Sequence, residues 1–206
     1  MFALVESGSI TKYISGNRGI TIGDIQYPKS IFTLWSASQR EAIGIYEVEM
    51  DNSKKKDEEW YINTNVTYSF GGGKVTGAYG DATAKAHADT LFTAQDETDG
   101  KGTEGEVKSR GLKYNLNQKI KKQAAAELQN TDWYVIRKAD AGTAVPSAIT
   151  THRAAVRTKA AEMETAITNA SDTPALETLY TYVNTADEGD PVVMERPLGE
   201  LPTLEV

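Results

Sequence analysis

Apolar and polar residues change rhythm part-way along this chain. In roughly the first eighty residues they alternate in short runs, as on half-buried strands. From Leu112 onward the apolar positions recur every third or fourth residue, as on helices. FALVE and ITKYI flank Ser7-Gly8, which predicts a hairpin closed by a tight turn. GITIGDIQYP predicts a short strand bracketed by Gly19 and Gly23 and ended by Tyr27-Pro28, because proline cannot donate to a ladder. SASQREAIG reads as a short helix, with Ser38 and Glu41 at capping-box spacing and Gly44 as its stop. IYEVEM sets Ile45, Glu47 and Glu49 on one face and Tyr46, Val48 and Met50 on the other. DNSKKKDEE is a charged turn. WYINTNVTYSF is the most strand-like run, and Gly71-Gly72-Gly73 turns it into KVTGAYG. Residues 1–80 are therefore expected to form a small β-rich head of hairpins carrying one short helix.

Residues 81–110 break the pattern. DATAKAHADTLF reads as a helix weakened by Thr83 and Thr90, and AQDETDGKGTEGE, acidic and without large apolar residues, reads as a flexible linker. Residues 111–186 read as a helical module. Leu112, Leu116, Ile120, Ala124 and Leu128 form one stripe. Pro146 stands at the first turn of a second helix, whose seam is Ile149, His152, Val156, Met163 and Ile167, with Ala160 between. Ser171-Asp172-Thr173-Pro174 opens a third, with Leu176, Leu179, Tyr180 and Val183 inward. Residues 187–206 carry three prolines and are expected to be extended. Val192, Val193, Met194, Leu198, Leu201 and Leu204 would be the docking residues of this tail. The fold class is α+β: a β head, then an antiparallel helical hairpin or three-helix unit.

Composition changes this picture in one respect. Leu and Phe are scarce while Ala, Thr and Gly abound, so the core is lean and contacts with a partner or with further copies of the chain would complete the burial. The net charge of −7 disfavours a general binder of nucleic acid or of an anionic membrane, which would need a basic face. No apolar run approaches the ~18 residues of a membrane helix, and the N-terminus lacks the basic start of a signal peptide. The absence of cysteine excludes disulfides and thiolate metal sites and fits a reducing cytoplasm.

Candidate chemistry is sparse. His87 lies in an Ala-rich polar stretch. His152 falls on the helix seam, where a packing role, hydrogen-bonded across the helix pair, is expected rather than general-base work. Neither histidine has a partner at metal-ligand spacing. No GxSxG surrounds any serine, and Gly71-Gly72-Gly73-Lys74 lacks the spacing of a phosphate loop. The acids at Asp57-Glu58-Glu59 and from Asp96 to Glu106 lack the spacing of an EF-hand loop. No catalytic residue, metal or cofactor is assigned, and no enzymatic activity is expected.

The stretch TDWYVIRKADAGTAVP, Thr131 to Pro146, stands apart. Asn130 or Thr131 caps a short helix with Asp132 in its first turn; Trp133 and Ile136 share a face, and Arg137 and Lys138 lie toward its other end. Two readings follow: a buried elbow locking the long helices into a pair, or an exposed aromatic and basic contact for a partner. A buried Trp133 would make Trp133→Ala cost about 3–5 kcal/mol.

The order from Leu112 to Ile167 resembles a helical module of tail-fibre-associated and tail-assembly proteins of tailed bacteriophages, marine phages and cyanophages above all. The residues that carry the resemblance are Thr131-Asp132-Trp133, Val135-Ile136-Arg137-Lys138, Pro146, His152-Arg153 and Val156-Arg157. FALVESGSITKY and YPKSIFTLWSASQREAIGIYEV are similar to the small N-terminal domain of such proteins. His152 stands where the family usually has tyrosine. The resemblance covers neither residues 51–111 nor the proline-rich tail, and implies architecture and setting but no catalytic residues. It implies a structural component of the virion tail, made in the host cytoplasm, present in several copies or as a homo-oligomer, and contacting fibre or baseplate proteins. The alternatives are a fibre-assembly chaperone that leaves the particle, and a host-glycan-binding module using Trp60, Tyr61 and Tyr68.

Overall fold

The computed structural model describes residues 1–204; Glu205 and Val206, the last two residues of the expected tail, lie outside the described residues. The protein is α+β, with a strand-rich N-terminal region and a helical C-terminal one. The chain divides into two compact units, Met1–Thr83 and Ala84–Val206.

In the first unit, β1 (Phe2–Glu6) and β2 (Ser9–Ile14) form the expected hairpin. Its turn residues Ser7 and Gly8 both have positive φ, as a two-residue turn matched to strand twist requires. β3 (Ile20–Ile22) and β4 (Ile25–Tyr27) make a second hairpin where one strand was expected, because Gly23, at φ 56°, reverses the chain. Two short helices follow instead of one: α1 (Ile31–Leu34) and α2 (Ala37–Glu41). The capping box is Ser36 with Gln39, two residues before the expected Ser38 and Glu41. β5 (Ile45–Asp51), β6 (Tyr61–Ile62), β7 (Thr67–Gly71) and β8 (Lys74–Ala78) complete the unit; the run expected as one strand from Trp60 to Phe70 is split by residues 63–66.

The main sheet has the order β2-β1-β5-β8-β7. It is not a plain meander, because β5 and β8 pair in parallel. One face carries Phe2, Leu4, Ile14 and Ile45, which pack with Ile20, Ile31 and Phe32 into the unit's core. Arg40 is buried at its margin, donating to the Trp35 carbonyl, pairing with Glu47 and lying over the Phe2 ring. The other face holds Ala3, Tyr13, Tyr46, Val75, Tyr68 and Phe70. The sheet curls so far that the rings of Tyr13 and Tyr68, from its two edge strands, meet at a tilt of 49° with centroids 4.9 Å apart. Gly77 makes room for this: a Cβ there would meet the Tyr68 ring at 2.8 Å and the Met50 sulfur at 2.9 Å.

β9 (Thr83–Ala84) spans the division between the units. In the second unit the expected helix over DATAKAHADTLF is absent, and the expected linker is folded. β10 (Thr90–Leu91) pairs with β11 (Val107–Ser109) around α3 (Ala94–Thr98). The acids that imitated a linker cap and pair locally. Thr93 and Asp96 form a complete capping box, and Asp96 accepts from Lys108 Nζ at 2.9 Å. These bonds, Lys108 first and the Thr93 N–H next, hold the Asp96 carboxyl at about 2, against an ordinary value of 3.8. A carboxyl whose folded value is depressed contributes stability above its unfolded value and loses it as pH falls through the folded one. Asp96→Asn is therefore expected to lower the melting temperature at neutral pH, and the gap to the natural chain is expected to close between pH 3.8 and about 2. Melts across that range test this; a gap that persists at the acid end would assign the effect to something other than the ion pair.

The 86–89 segment caps the next helix, α4 (Leu112–Gln129). The Ala86 and His87 carbonyls accept from the Leu112 and Lys113 N–H groups, and the Asp89 carboxylate accepts from Gly111 N–H and Arg110. Gly111 permits this approach, since a Cβ would lie 2.3 Å from the Ala88 carbonyl. α5 (Asp132–Ala141), α6 (Ser147–Asn169) and α7 (Thr173–Tyr180) follow, and Asp172 caps α7 through the Ala175 N–H. α4 and α6 run antiparallel: Lys113 bonds to the Thr168 carbonyl near one end of the pair and Arg153 to the Leu128 carbonyl near the other. Leu116 and Ile120 meet the α6 seam of Ile149, His152, Val156, Ala160, Met163 and Ile167, all buried. Val183 does not face inward from a helix. It lies exposed in β12 (Val183–Asn184), which pairs with β13 (Met194–Glu195).

Candidate functional site

Only Asn130 and Thr131 separate α4 from α5. One guanidinium organises this turn. Arg153, buried on α6, donates to the Leu128 carbonyl at 2.8 Å and to Thr131 Oγ1 at 2.7 Å, and pairs with Asp132 Oδ1 at 2.9 Å. The buried Thr131 hydroxyl in turn donates to the Leu128 carbonyl at 2.9 Å. Sequence reasoning placed Thr131 and Asp132 at a helix start but gave Arg153 no role. The signal was available: Arg153 lies four residues after Ile149 and three before Val156, so it falls on the buried face, and a buried arginine needs acceptors.

Beyond this clasp no residue of α5 is buried. Trp133 is 50 % exposed and Ile136 66 %. The reading of a buried elbow is thus corrected: the turn is held by a polar clasp, and the aromatic residues face solvent. They pack on each other. The Trp133 and Tyr134 rings lie 3.9 Å apart, and the Arg137 guanidinium sits 4.6 Å from the first and 5.4 Å from the second. With Trp133 outside the core, Trp133→Ala is expected to change unfolding stability by less than about 1 kcal/mol, as measured by denaturant titration. A loss above about 3 kcal/mol would return it to the core.

Gly142, in the left-handed conformation, ends α5, and Pro146 caps α6 one residue before its expected place, its carbonyl accepting from the Thr150 N–H. Between α5 and the start of α6 lies a cavity of about 300 Å³ lined by Val135, Lys138, Val145, Thr150, Arg153 and Arg157, with Ala144 beside it. Arg153 is neutralised by Asp132. Arg137, Lys138 and Arg157 have no carboxylate partner among the described residues, and Asp140 is the one further acid on the helix. The surface is therefore aromatic, aliphatic and locally basic on a protein of net charge −7.

The seam histidine differs from expectation. His152 is buried, but its Nε2 has no hydrogen-bond partner. The proposed docking tail divides in two. Val192, Val193 and Met194 are exposed, whereas Leu198 is buried and Leu201 half-buried. The second group is tied to its own unit: Leu198 N–H donates to the Leu179 carbonyl, and Arg196 pairs with Glu200 and lies over the Tyr180 and Tyr182 rings. Trp60 and Tyr61 are buried and present no stacking face for a sugar, while Tyr68 is half-buried against Tyr13. Among the described residues no group of three His, Cys, Asp or Glu is placed to hold a metal ion, and no helix is long and apolar enough to cross a membrane. The chain matches no protein-family model, and no curated protein or solved structure is similar to it.

Proposed function

We propose that this protein works by contact with other proteins, and that its setting is the tail of a bacteriophage, as a structural component beside the fibre or baseplate. The observation that supports a contact role is α5. A ten-residue helix is anchored at its first residue and leaves Trp133, Val135 and Ile136 in solvent next to unpaired cations. Aromatic side chains with arginine are the residues enriched where proteins meet, and their ordering cost here is already met by the Trp133–Tyr134–Arg137 stack. The phage setting rests on the resemblance of the stretch from Leu112 to Ile167.

Quantitative mass spectrometry of purified particles of the encoding phage, combined with cross-linking from Lys138, tests both parts. Stoichiometric peptides with cross-links from Lys138 to a fibre or baseplate protein are expected. Peptides abundant in the infected lysate but missing from particles would make the chain an assembly factor instead. Absence of any Lys138 cross-link would overturn the contact role of α5.

A further inference from the structure

The second unit carries another exposed feature, and its chemistry is the complement of α5. β12 and β13 close a hairpin over residues 183–195. Its loop is ordered from within: Thr185 N–H donates to the Val193 carbonyl at 2.8 Å, and the Asn184 side chain accepts from the Ala186 and Val193 N–H groups. At the tip stand Asp187, Glu188 and Asp190, without a cation partner among the described residues, followed by exposed Val192, Val193 and Met194. Val192 is 70 % exposed.

We propose that the hairpin tip of one copy docks on the α5 face of a second copy, so that the chain associates head to tail. This rests on the reading of α5 as a contact face. The cavity beside α5 is lined by the aliphatic Val135 and Val145 and by the cationic Lys138 and Arg157. The tip offers carboxylates at Glu188 and Asp190 and, two residues beyond Asp190, the exposed side chain of Val192. The cavity's volume of about 300 Å³ admits an aliphatic side chain, and its lining cations Lys138 and Arg157 suit an adjoining carboxylate. Each surface supplies what the other lacks, and both remain in solvent on a single chain. A second copy is therefore an occupant for which both halves of the charge match are present. Because the two surfaces differ, the contact is heterologous: it generates a closed ring if the rotation between copies closes and a string if it does not. The outer face of α6, lined by Ala154, Ala155, Thr158 and Ala161, is the competing site for a symmetric dimer.

Sedimentation of the full chain over a wide concentration range tests this. Expected are assemblies that grow with concentration and weaken with added salt. Lys138→Glu with Arg157→Glu on one chain, and Glu188→Lys with Asp190→Lys on another, are each expected to weaken self-association at least about a hundredfold, since like charges then face each other. Mixing the two variants is expected to restore association, because each retains the natural half that the other has lost. All four residues lie at the surface of the fold, and far-UV circular dichroism of each variant checks that it is retained. A chain that is monomeric at every concentration, association indifferent to both reversals, or a mixture that stays monomeric would each overturn the proposal. A natural chain that is monomeric at every concentration yet keeps its Lys138 cross-links to another tail protein would overturn the self-docking and leave α5 a contact face for that different partner.

Discussion

Ile120→Ala and Met163→Ala are each expected to destabilise the helical unit by about 2–5 kcal/mol. Both side chains are essentially without solvent contact and lie on the facing stripes of α4 and α6. Removing either deletes buried apolar surface and leaves a cavity that two stiff helices collapse only partly to fill. The cost is large relative to the few kilocalories by which an ordinary domain is stable. The seam is also poor in large side chains, since Ala124 and Ala160 occupy two of its positions, so few neighbours are able to move in. Urea titration followed by far-UV circular dichroism reads the helices directly. Ala161→Ser, on the outer face of α6, serves as the comparison and is expected to stay within about 0.5 kcal/mol of the natural chain. A change as small as that for Ile120→Ala would mean that the α4–α6 seam is not the core of this unit.

That seam was legible in the sequence because a long helix repeats its burial pattern many times, so periodicity outvotes any single residue. The hairpins at Ser7-Gly8 and Gly71-Gly72-Gly73 were legible for a different reason: the turn residues are chemically specific and the paired strands are neighbours in sequence. The parallel pairing of β5 with β8 was not, since residues 52–73 intervene and no local preference encodes the partner. The folded state of 90–109 was hidden by composition. A run such as AQDETDGKGTEGE has no core to announce, yet Thr93 and Asp96 form a capping box and Lys108 reaches across twelve residues to the same carboxylate. The elbow failed in a more instructive way. Four bulky residues in a row suggested burial, but burial needs a facing surface, and the position opposite the turn is occupied by Arg153, whose acceptors are polar. The alternative reading of Trp133 to Lys138, an exposed aromatic and basic surface, matches the exposure of α5.

Arg153→Ala is expected to release α5 while leaving α4 and α6 paired, at a cost of about 2–4 kcal/mol. The guanidinium donates to two acceptors on the turn, the Leu128 carbonyl and Thr131 Oγ1, and is the counter-ion of Asp132. Its removal takes the charged donor from the buried Thr131 Oγ1, a bond contributing about 1.5–3 kcal/mol, whereas the part-buried Leu128 carbonyl keeps the Thr131 hydroxyl as a donor. The ion pair adds less, because Asp132 is half exposed and water replaces its partner at little cost. Asp132→Asn should therefore be much milder than Arg153→Ala. Thr131→Val should lie between them, and the two substitutions Arg153→Ala and Thr131→Val together should cost less than their sum, since they break a shared bond. Amide hydrogen exchange separates local from global loss: in Arg153→Ala the protection of residues 134–142 is expected to collapse while that of 116–126 and 153–167 falls only with overall stability. Unchanged protection across α5 would show that the helix is held by the Trp133–Tyr134–Arg137 stack and not by the clasp. The consequence for contact is direct. On the proposal that α5 is a contact face, an aromatic surface on a loosened helix must be ordered again each time a partner binds, so Arg153→Ala is expected to weaken that binding although Arg153 itself is buried and makes its bonds within the turn.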